Sequence, residues 1–261
     1  MKPPLLSKVT PLPDCVYGPA EMPKLDPRPS KLTADIKVIS AMPNEKRNPF
    51  SRILFGAAAA LARPFASAAG AAAAGLSWTP QLLKQLEWRR FEELCAAYFE
   101  TLGFRTSAAQ SGTHGGVDIH LIAEGSETTS IVVQCKAWDA YRVGIKAARE
   151  LRGAMASASV GEGVLVTSGR FTQEAVDFAR KENIQLVDGA DLLAKISALL
   201  PEKALALLKL ATQGDFLTPT CPSCSVKMIS RKSTQGGRTF WGCRNYPRCK
   251  QTLSGTTHAP A

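Results

Sequence analysis

Residues 117–138 read VDIHLIAEGSETTSIVVQCKAW and contain two apolar runs separated by a polar turn. Apolar and polar residues alternate within each run, which is typical of β-strands. The turn is centred near Ser126, so a symmetric antiparallel hairpin places Asp118 directly opposite Gln134. Lys136 follows two residues later and shares their face. This stretch therefore predicts a hairpin with one buried apolar face and one exposed face that presents a carboxylate, an amide and an ammonium.

The segments on both sides of this hairpin alternate between helical and strand patterns. Thr79 and Pro80 begin a helical pattern that runs without a break to Gly103, where glycine ends it. Further segments follow in chain order: a strand at 104–108, then, after the hairpin, a helix at 143–157, a strand at 163–168, a helix capped by Thr172, a strand at 184–187 and a helical region at 188–210 interrupted near Pro201. This order predicts an α/β domain whose mixed central sheet is flanked by helices on both faces.

Composition divides the chain of 261 residues into four parts. Residues 1–52 are rich in proline and predict a disordered arm without a cleavable signal peptide. Residues 53–78 are rich in alanine and glycine, and we interpret them as a linker helix, with a membrane segment as the alternative. The globular domain is assigned to residues 79–212, and a C-terminal ribbon and tail to residues 213–261.

Charge and cysteine usage indicate the partner and the compartment. The formal net charge is +10, and the segment from Pro219 onward holds seven basic residues and no acidic one. Such a local excess favours a polyanionic partner. Cys15, Cys95 and Cys135 are isolated in the sequence, which argues against a disulfide framework and favours a reducing, cytoplasmic location. Apolar residues make up 45% of the chain, which excludes disorder throughout.

The polar face of the hairpin suits phosphodiester hydrolysis. The Asp118 carboxylate is a ligand that Mg²⁺ prefers, and the backbone carbonyl of Cys135 is a second oxygen ligand on the neighbouring strand. A bound divalent cation activates water and neutralises phosphate charge. The Lys136 ammonium can hold the attacking water and stabilise developing negative charge. Taken alone, this spacing also fits an ordinary exposed hairpin.

Four further motifs carry a resemblance to a known family. They are Phe91-Glu92-Glu93, Gly115-Gly116-Val117-Asp118, Val133-Gln134-Cys135-Lys136 and Gly169-Arg170-Phe171-Thr172. The segment from Trp88 to Leu199 resembles the catalytic domain of Mrr-type restriction endonucleases, within the PD-(D/E)xK nuclease superfamily. The resemblance implies a metal-dependent DNA endonuclease in which Asp118, Gln134 and Lys136 are catalytic.

The resemblance also implies an acidic residue on the first helix that assists metal binding. Glu92 is the best match, and Glu93 is the competitor, because neighbouring helical residues point about 100° apart and only one can face the hairpin. In that family the second acidic position of the motif is often Gln, and Gln134 fits this variant, but it cannot supply the second anionic ligand that an acidic residue would. The metal ligands expected here are therefore Asp118, Glu92 and the Cys135 carbonyl.

The C-terminal cysteines form two close pairs, Cys221 with Cys224 and Cys243 with Cys249. Two such pairs joined by a hairpin-length segment predict a structural Zn²⁺ site with four thiolate ligands. A segment of about 40 residues is too small to fold without a metal or another cross-link. The tail therefore predicts a zinc ribbon.

The second cysteine pair and its neighbours resemble the zinc ribbons at the C-terminus of type IA DNA topoisomerases. The matching stretch runs from Phe240 to Lys250, and the resemblance implies binding of single-stranded DNA. Aromatic side chains interleaved with basic ones support this function independently. The residues expected to contact DNA are Trp241, Tyr246, Arg238, Arg244, Arg248 and Lys250.

Together, these patterns predict a Mg²⁺-dependent, restriction-type DNA endonuclease held on DNA by a zinc ribbon. Duplex DNA is the expected partner of the nuclease domain, and single-stranded DNA that of the ribbon. A homodimer is considered because cutting both strands normally needs two active sites. The alternative from a different class is a non-catalytic DNA-binding protein that retains the nuclease scaffold.

Overall fold

The computed structural model describes residues 76–108, 117–137, 142–233 and 236–254. The proline-rich arm at 1–52 and nearly all of the alanine-rich segment at 53–78 lie outside these residues. The glycine-rich turn before Asp118 lies outside them as well. No helix in the described ranges has both the length and the apolar character needed to cross a bilayer.

We number the helices and strands of these ranges in chain order. The helices are α1 (Pro80–Gln85), α2 (Trp88–Thr101), α3 (Ile145–Ser157), α4 (Gln173–Lys181), α5 (Gly189–Ser197) and α6 (Pro201–Thr212). The strands are β1 (Arg105–Ala108), β2 (Ile119–Ile122), β3 (Thr129–Lys136), β4 (Glu162–Thr167), β5 (Ile184–Val187), β6 (Ile229–Lys232), β7 (Thr239–Gly242) and β8 (Thr252–Ser254).

The central sheet has five strands in the order β1-β2-β3-β4-β5. The first three strands pair antiparallel, and β3, β4 and β5 pair in parallel. Ile119 pairs with Val133, so continuing this register by one residue places Asp118 opposite Gln134, as the symmetric hairpin predicts. The carboxyl ends of the parallel strands meet at one edge of the sheet, next to Lys136.

Helices cover both faces of this sheet and bury its apolar side chains. One cluster packs α2, α5 and α6 against the odd-numbered residues of β3; its members include Phe91, Leu94, Val133, Leu192 and Leu207. The other packs α3 and α4 against the opposite face; its members include Val132, Leu151, Leu165 and Ala179. Each fully buried Leu or Phe stabilises the fold by about 1.5–3 kcal/mol. The fold class predicted from the sequence, a mixed sheet flanked by helices, is confirmed.

The expectation of one unbroken helix from Thr79 to Gly103 is wrong. Leu86 and Glu87 take extended backbone conformations, with ψ values of 127° and 154°, and α2 begins only at Trp88. The apolar periodicity continues across this break because Leu86 still packs into the core at 3% exposure. The break has a polar cause that the periodicity does not reveal: the Glu87 carboxylate accepts a hydrogen bond from the Arg89 amide at 3.0 Å and caps α2.

The C-terminal ribbon is a three-stranded antiparallel sheet in the order β6-β7-β8. Its small core consists of Cys221, Met228, Trp241 and Cys243, with Val226 and Leu253 packed at the edge. A core of this size does not stabilise a domain by itself. The ribbon therefore depends on its cysteine cluster and on contacts with the preceding domain.

Candidate active site and cysteine cluster

Asp118 lies at the entry to β2, where the chain leaves the central sheet. Its backbone amide donates to the Val133 carbonyl at 2.9 Å, and its Oδ2 accepts from the Cys135 amide at 2.6 Å. These two bonds fix the carboxylate against β3. Burial raises the pKa of Asp118, while the Cys135 amide and the Lys136 ammonium act in the opposite direction.

Glu92 and Glu93 differ sharply in their surroundings on α2. Glu92 is half-buried, and its carboxyl is close enough to Asp118 and Lys136 to interact with both charges. Glu93 is exposed and forms an ion pair with Arg90 at 3.3 Å. The structure thus brings Glu92, and not Glu93, to the hairpin.

The Glu92 carboxyl is strongly perturbed. Burial, followed by the charge of Asp118, raises the pKa of Glu92 to about 8, although Arg89 and Lys136 partly oppose this. The negative charge of Asp118 disfavours ionisation of Glu92. Two neighbouring carboxyl groups with raised pKa values are the donor set that a hard divalent cation would satisfy. The residues present therefore fit such a cation.

Lys136 ends β3 at the carboxyl edge of the parallel strands. Its backbone carbonyl accepts from the Thr167 Oγ1 hydroxyl at 2.8 Å and from the Ser168 amide at 3.3 Å. The carbonyl thus points toward β4. Because successive carbonyls of a strand alternate in direction, that of Cys135 is directed toward β2, beyond the Ile119–Val133 pair. The site is consistent with the oxygen ligand expected from Cys135.

Gln134 corrects the expectation of an exposed polar face. This side chain is fully buried, with 0% exposure, because β3 is a central strand covered by helices on both sides. Within the described residues, its Oε1 and Nε2 atoms both lack a hydrogen-bond partner. Hairpin periodicity reports which residues share a face, and it does not report what packs on that face. The side chains of Asp118, Glu92 and Lys136 are only half-buried and remain partly accessible.

The four C-terminal cysteines converge in the ribbon. Their sulfur atoms lie within 4.8 Å of one another, with Cys221 and Cys249 separated by 3.7 Å and Cys224 and Cys243 by 3.3 Å. Tetrahedral zinc with Zn–S bonds of about 2.3 Å requires S···S distances of roughly 3.8 Å. This cluster of Cys221, Cys224, Cys243 and Cys249 therefore fits a structural Zn²⁺.

The aromatic and basic residues of the ribbon that are expected to contact DNA differ in their exposure to solvent. Tyr246 is 61% exposed, and the Arg231 guanidinium lies 5.7 Å from the centre of its ring. The other exposed cations expected to contact DNA are Arg238, Arg244, Arg248 and Lys250. Trp241 departs from the expectation that it stacks on bases, because it is only 4% exposed and packs beside the cysteines. A ring in that position holds the ribbon core together.

Two groups around the site carry no sequence motif. Thr167, at 0% exposure, accepts from the Gly169 amide at 3.1 Å while it donates to Lys136. Glu87, at 3% exposure, caps α2. No local sequence signal marks Glu87 as a cap, because the helical pattern that begins at Thr79 continues across it.

Two segments of the chain each match a protein-family model. Residues 83–196 match the family model described as restriction endonuclease. Residues 218–256 match the model described as topoisomerase DNA binding C4 zinc finger. The resemblance stated from the sequence motifs is thereby confirmed for both segments, and the two matches together support a DNA nuclease.

Solved structures with weak overall similarity include two restriction endonucleases. One is the MspJI restriction endonuclease in complex with a 27-mer oligonucleotide, at 19% identity and a TM-score of 0.36, covering 51% of this chain and 34% of that one. Another is the DNA modification-dependent restriction endonuclease AspBHI, at 20% identity and a TM-score of 0.40, where the match covers 52% of this chain and 41% of the AspBHI chain. A third is AF1548, a protein of unknown function, at 19% identity and a TM-score of 0.35. This match covers 46% of this chain and 68% of the AF1548 chain. The chain thus spans about a third of the MspJI chain. No curated protein matches it.

Proposed function

We propose that this chain is a Mg²⁺-dependent DNA endonuclease of the Mrr restriction type. The observation that carries the proposal is the clustering of Asp118, Glu92 and Lys136 in one half-buried corner, where burial and then the charge of Asp118 raise the pKa of Glu92 to about 8. Perturbed titratable groups gathered in one partly accessible corner are typical of catalytic sites. The nuclease domain is assigned to residues 79–212 and the ribbon to residues 213–261.

In this proposal each polar group has one role. The carboxylates of Asp118 and Glu92 and the carbonyl of Cys135 hold the cation. When bound, the cation supplies positive charge for the phosphate and activates water. The Lys136 ammonium orients the attacking water and stabilises charge that develops on the phosphate. The buried Gln134 amide, whose Oε1 and Nε2 have no partner among the described residues, positions the water or the ligands of the cation.

The ribbon binds DNA in this proposal and raises the local concentration of substrate. Tyr246 is exposed, and its ring contacts the Arg231 guanidinium. Unstacked bases can stack on such a ring, which suits single-stranded DNA. The surrounding cations contact phosphates, a contribution that salt weakens. Duplex DNA would occupy the nuclease domain, a homodimer would cut both strands, and the cytoplasm is the proposed location.

The burial of Gln134 favours one alternative function. A neutral, fully buried residue at the position where an acidic ligand is common leaves fewer anionic ligands for the cation. A protein that binds DNA on this scaffold without cutting it is therefore the second candidate.

Cleavage assays distinguish these two functions. Purified protein is incubated with Mg²⁺ or Mn²⁺ and a panel of methylated and unmethylated duplexes, alongside the variants Asp118→Asn and Lys136→Met. The control is Lys146→Met, whose side chain is 90% exposed on α3. The endonuclease proposal expects cutting by the wild type and the control, and none by the two site variants. Binding without cutting across the panel would favour the alternative.

A further inference from the structure

The N-terminus of α2 and the first cysteine pair of the ribbon form a polar junction. Six residues build it: Glu87, Trp88 and Arg89 from the nuclease domain, and Thr220, Ser225 and Lys227 from the ribbon. We call this set the ribbon–helix junction. Among the described residues, Glu87 is the only charged residue that is buried, at 3% exposure. A ribbon that served only as a flexible tether would need no such buried group.

The Glu87 carboxylate accepts hydrogen bonds from both domains. Oε2 accepts from the Arg89 amide at 3.0 Å and from the Thr220 amide at 3.2 Å. Oε1 accepts from the Thr220 hydroxyl at 2.9 Å and from the Lys227 ammonium at 3.1 Å. Three of these four donors belong to the ribbon, so this buried charge is satisfied only while the ribbon is docked.

Two side chains beside Glu87 extend the junction. The Trp88 indole Nε1 donates to the Thr220 carbonyl at 2.8 Å, and the Arg89 guanidinium donates to the Ser225 hydroxyl at 3.1 Å. Lys227 also donates to the Thr218 carbonyl at 2.8 Å. Lys227 therefore faces the nuclease domain.

The ribbon side of the junction surrounds the first cysteine pair. Thr220 directly precedes Cys221, Ser225 directly follows Cys224, and Thr220 forms an antiparallel bridge with Lys227. The Cys221 carbonyl accepts from the Ser225 amide at 2.9 Å. A cation held by these cysteines would therefore fix the donors that Glu87 needs.

The helix side of the junction leads to the candidate active site. Glu87 caps α2, and Glu92 lies five residues further along the same helix. A helix cap stabilises the first turn and sets where the helix begins. The start of α2 thus depends on a carboxylate whose other partners all lie in the ribbon.

We propose that zinc binding by the ribbon and the ordering of α2 are thermodynamically coupled, with Glu87 as the positioning residue that joins them. Losing the docked ribbon would remove three of the four donors to this carboxylate, and water would then compete for its bond to the Arg89 amide. Coupling of this kind is reciprocal, so the ordering of α2 must favour zinc binding by as much as zinc binding favours the ordering of α2. A change at Glu87 that removes the coupling should therefore weaken zinc binding. Zinc would then hold Glu92 in place as well as fold the ribbon.

Hydrogen–deuterium exchange on the full chain tests the first half of this coupling. The zinc-loaded protein is compared with protein treated with a zinc-selective chelator, and peptides from α2 and from β4 are followed. Amides in the first turns of α2 should exchange about tenfold faster or more without zinc, since hydrogen bonds to charged groups are worth at least that factor. The β4 peptides should not change. Unaltered protection of α2 without zinc would overturn the proposal.

Chelation that unfolds more than the ribbon would speed exchange in α2 for an unrelated reason. Variants measured in the zinc-loaded protein therefore provide a second test that does not depend on chelation. Thr220→Val removes the hydroxyl that Glu87 accepts from, Thr220→Ser retains it, and Ser223→Ala removes a hydroxyl that bonds only to Gln251 within the ribbon. Only Thr220→Val should speed exchange in α2. Equal exchange in all three variants would refute the coupling.

Zinc titration against a competing chelator tests the reciprocal half. Glu87→Gln, a change outside the ribbon and far in sequence from its cysteines, should weaken zinc binding about tenfold. Glu93→Gln on the same helix should leave it unchanged, because Glu93 pairs only with Arg90. Unchanged affinity in Glu87→Gln would overturn the proposal. No DNA cleavage enters these measurements, so their failure is distinct from failure of the proposed nuclease activity.

Discussion

The raised pKa of Glu92 predicts that removing this carboxyl stabilises the protein at alkaline pH. The unfolded chain loses the Glu92 proton near pH 4.5, whereas the folded protein keeps it until about pH 8. The folded state binds more protons in this window, so wild-type stability falls as the pH rises through it. Glu92→Gln removes the titrating group and should remove this loss.

The size of the effect follows from the same two values. The difference between 4.5 and about 8 corresponds to an upper limit of about 5 kcal/mol in unfolding free energy above pH 8, at about 1.36 kcal/mol for each pKa unit. Water reaches a half-buried carboxyl, so we expect about 2 kcal/mol at pH 9. For a domain of this size that raises Tm by about 4–8 °C. Near pH 5 the two proteins should differ little.

Thermal unfolding in Mg²⁺-free buffer that retains zinc measures this difference. Glu93→Gln is the matched control, since Glu93 is an exposed neighbour on α2 and its loss should change stability by less than about 1 kcal/mol. Added Mg²⁺ at pH 9 should raise the Tm of the wild type more than that of Glu92→Gln, because a cation relieves the repulsion between the two carboxylates. The reasoning fails if Glu92→Gln is no more stable than the wild type at pH 9, or if Glu93→Gln gains as much.

Three further changes give measurable outcomes. Tyr246→Ala should weaken single-stranded DNA binding in fluorescence anisotropy by at least fivefold, because stacking of one base on an aromatic ring is worth about 1–3 kcal/mol, and Tyr246→Phe should retain it. Trp241→Ala should destabilise the ribbon by about 3–5 kcal/mol and release zinc at lower chelator concentration, since the ring fills the ribbon core. Gln134→Glu should lower the Tm of the Mg²⁺-free protein at neutral pH by several degrees, because it buries a carboxyl.

The hairpin register could be predicted because turn symmetry and side-chain alternation are local properties. Asp118 stands opposite Gln134 for that reason alone. The choice of Glu92 over Glu93 required the packing of α2 against the sheet, which sequence spacing leaves open. The cluster of four cysteines could be predicted from the sequence because zinc ligation imposes short, fixed spacings between its ligands.

Long-range polar contacts account for what the sequence could not predict. The helical run ends at Glu87, whose carboxylate binds Thr220 and Lys227 as well as the Arg89 amide. Thr220 and Lys227 lie more than 130 residues away in the sequence, so no local pattern reveals these contacts. Trp241 resembles an exposed stacking residue in sequence, yet a three-stranded ribbon has few other large side chains with which to fill its core. In both cases the deciding interaction joins segments whose proximity no local pattern encodes.

The amide at position 134 suits the burial of that position. Gln134 is fully buried, whereas Asp118 and Glu92 keep partial access to solvent. A third carboxylate at this buried point would be opposed by desolvation and by the charge of Asp118 and would bind a proton instead. A neutral amide avoids that repulsion, and no described residue hydrogen-bonds to its two polar atoms. The negative charge at this site is therefore confined to Asp118 and Glu92, the two carboxyl groups that keep partial access to solvent.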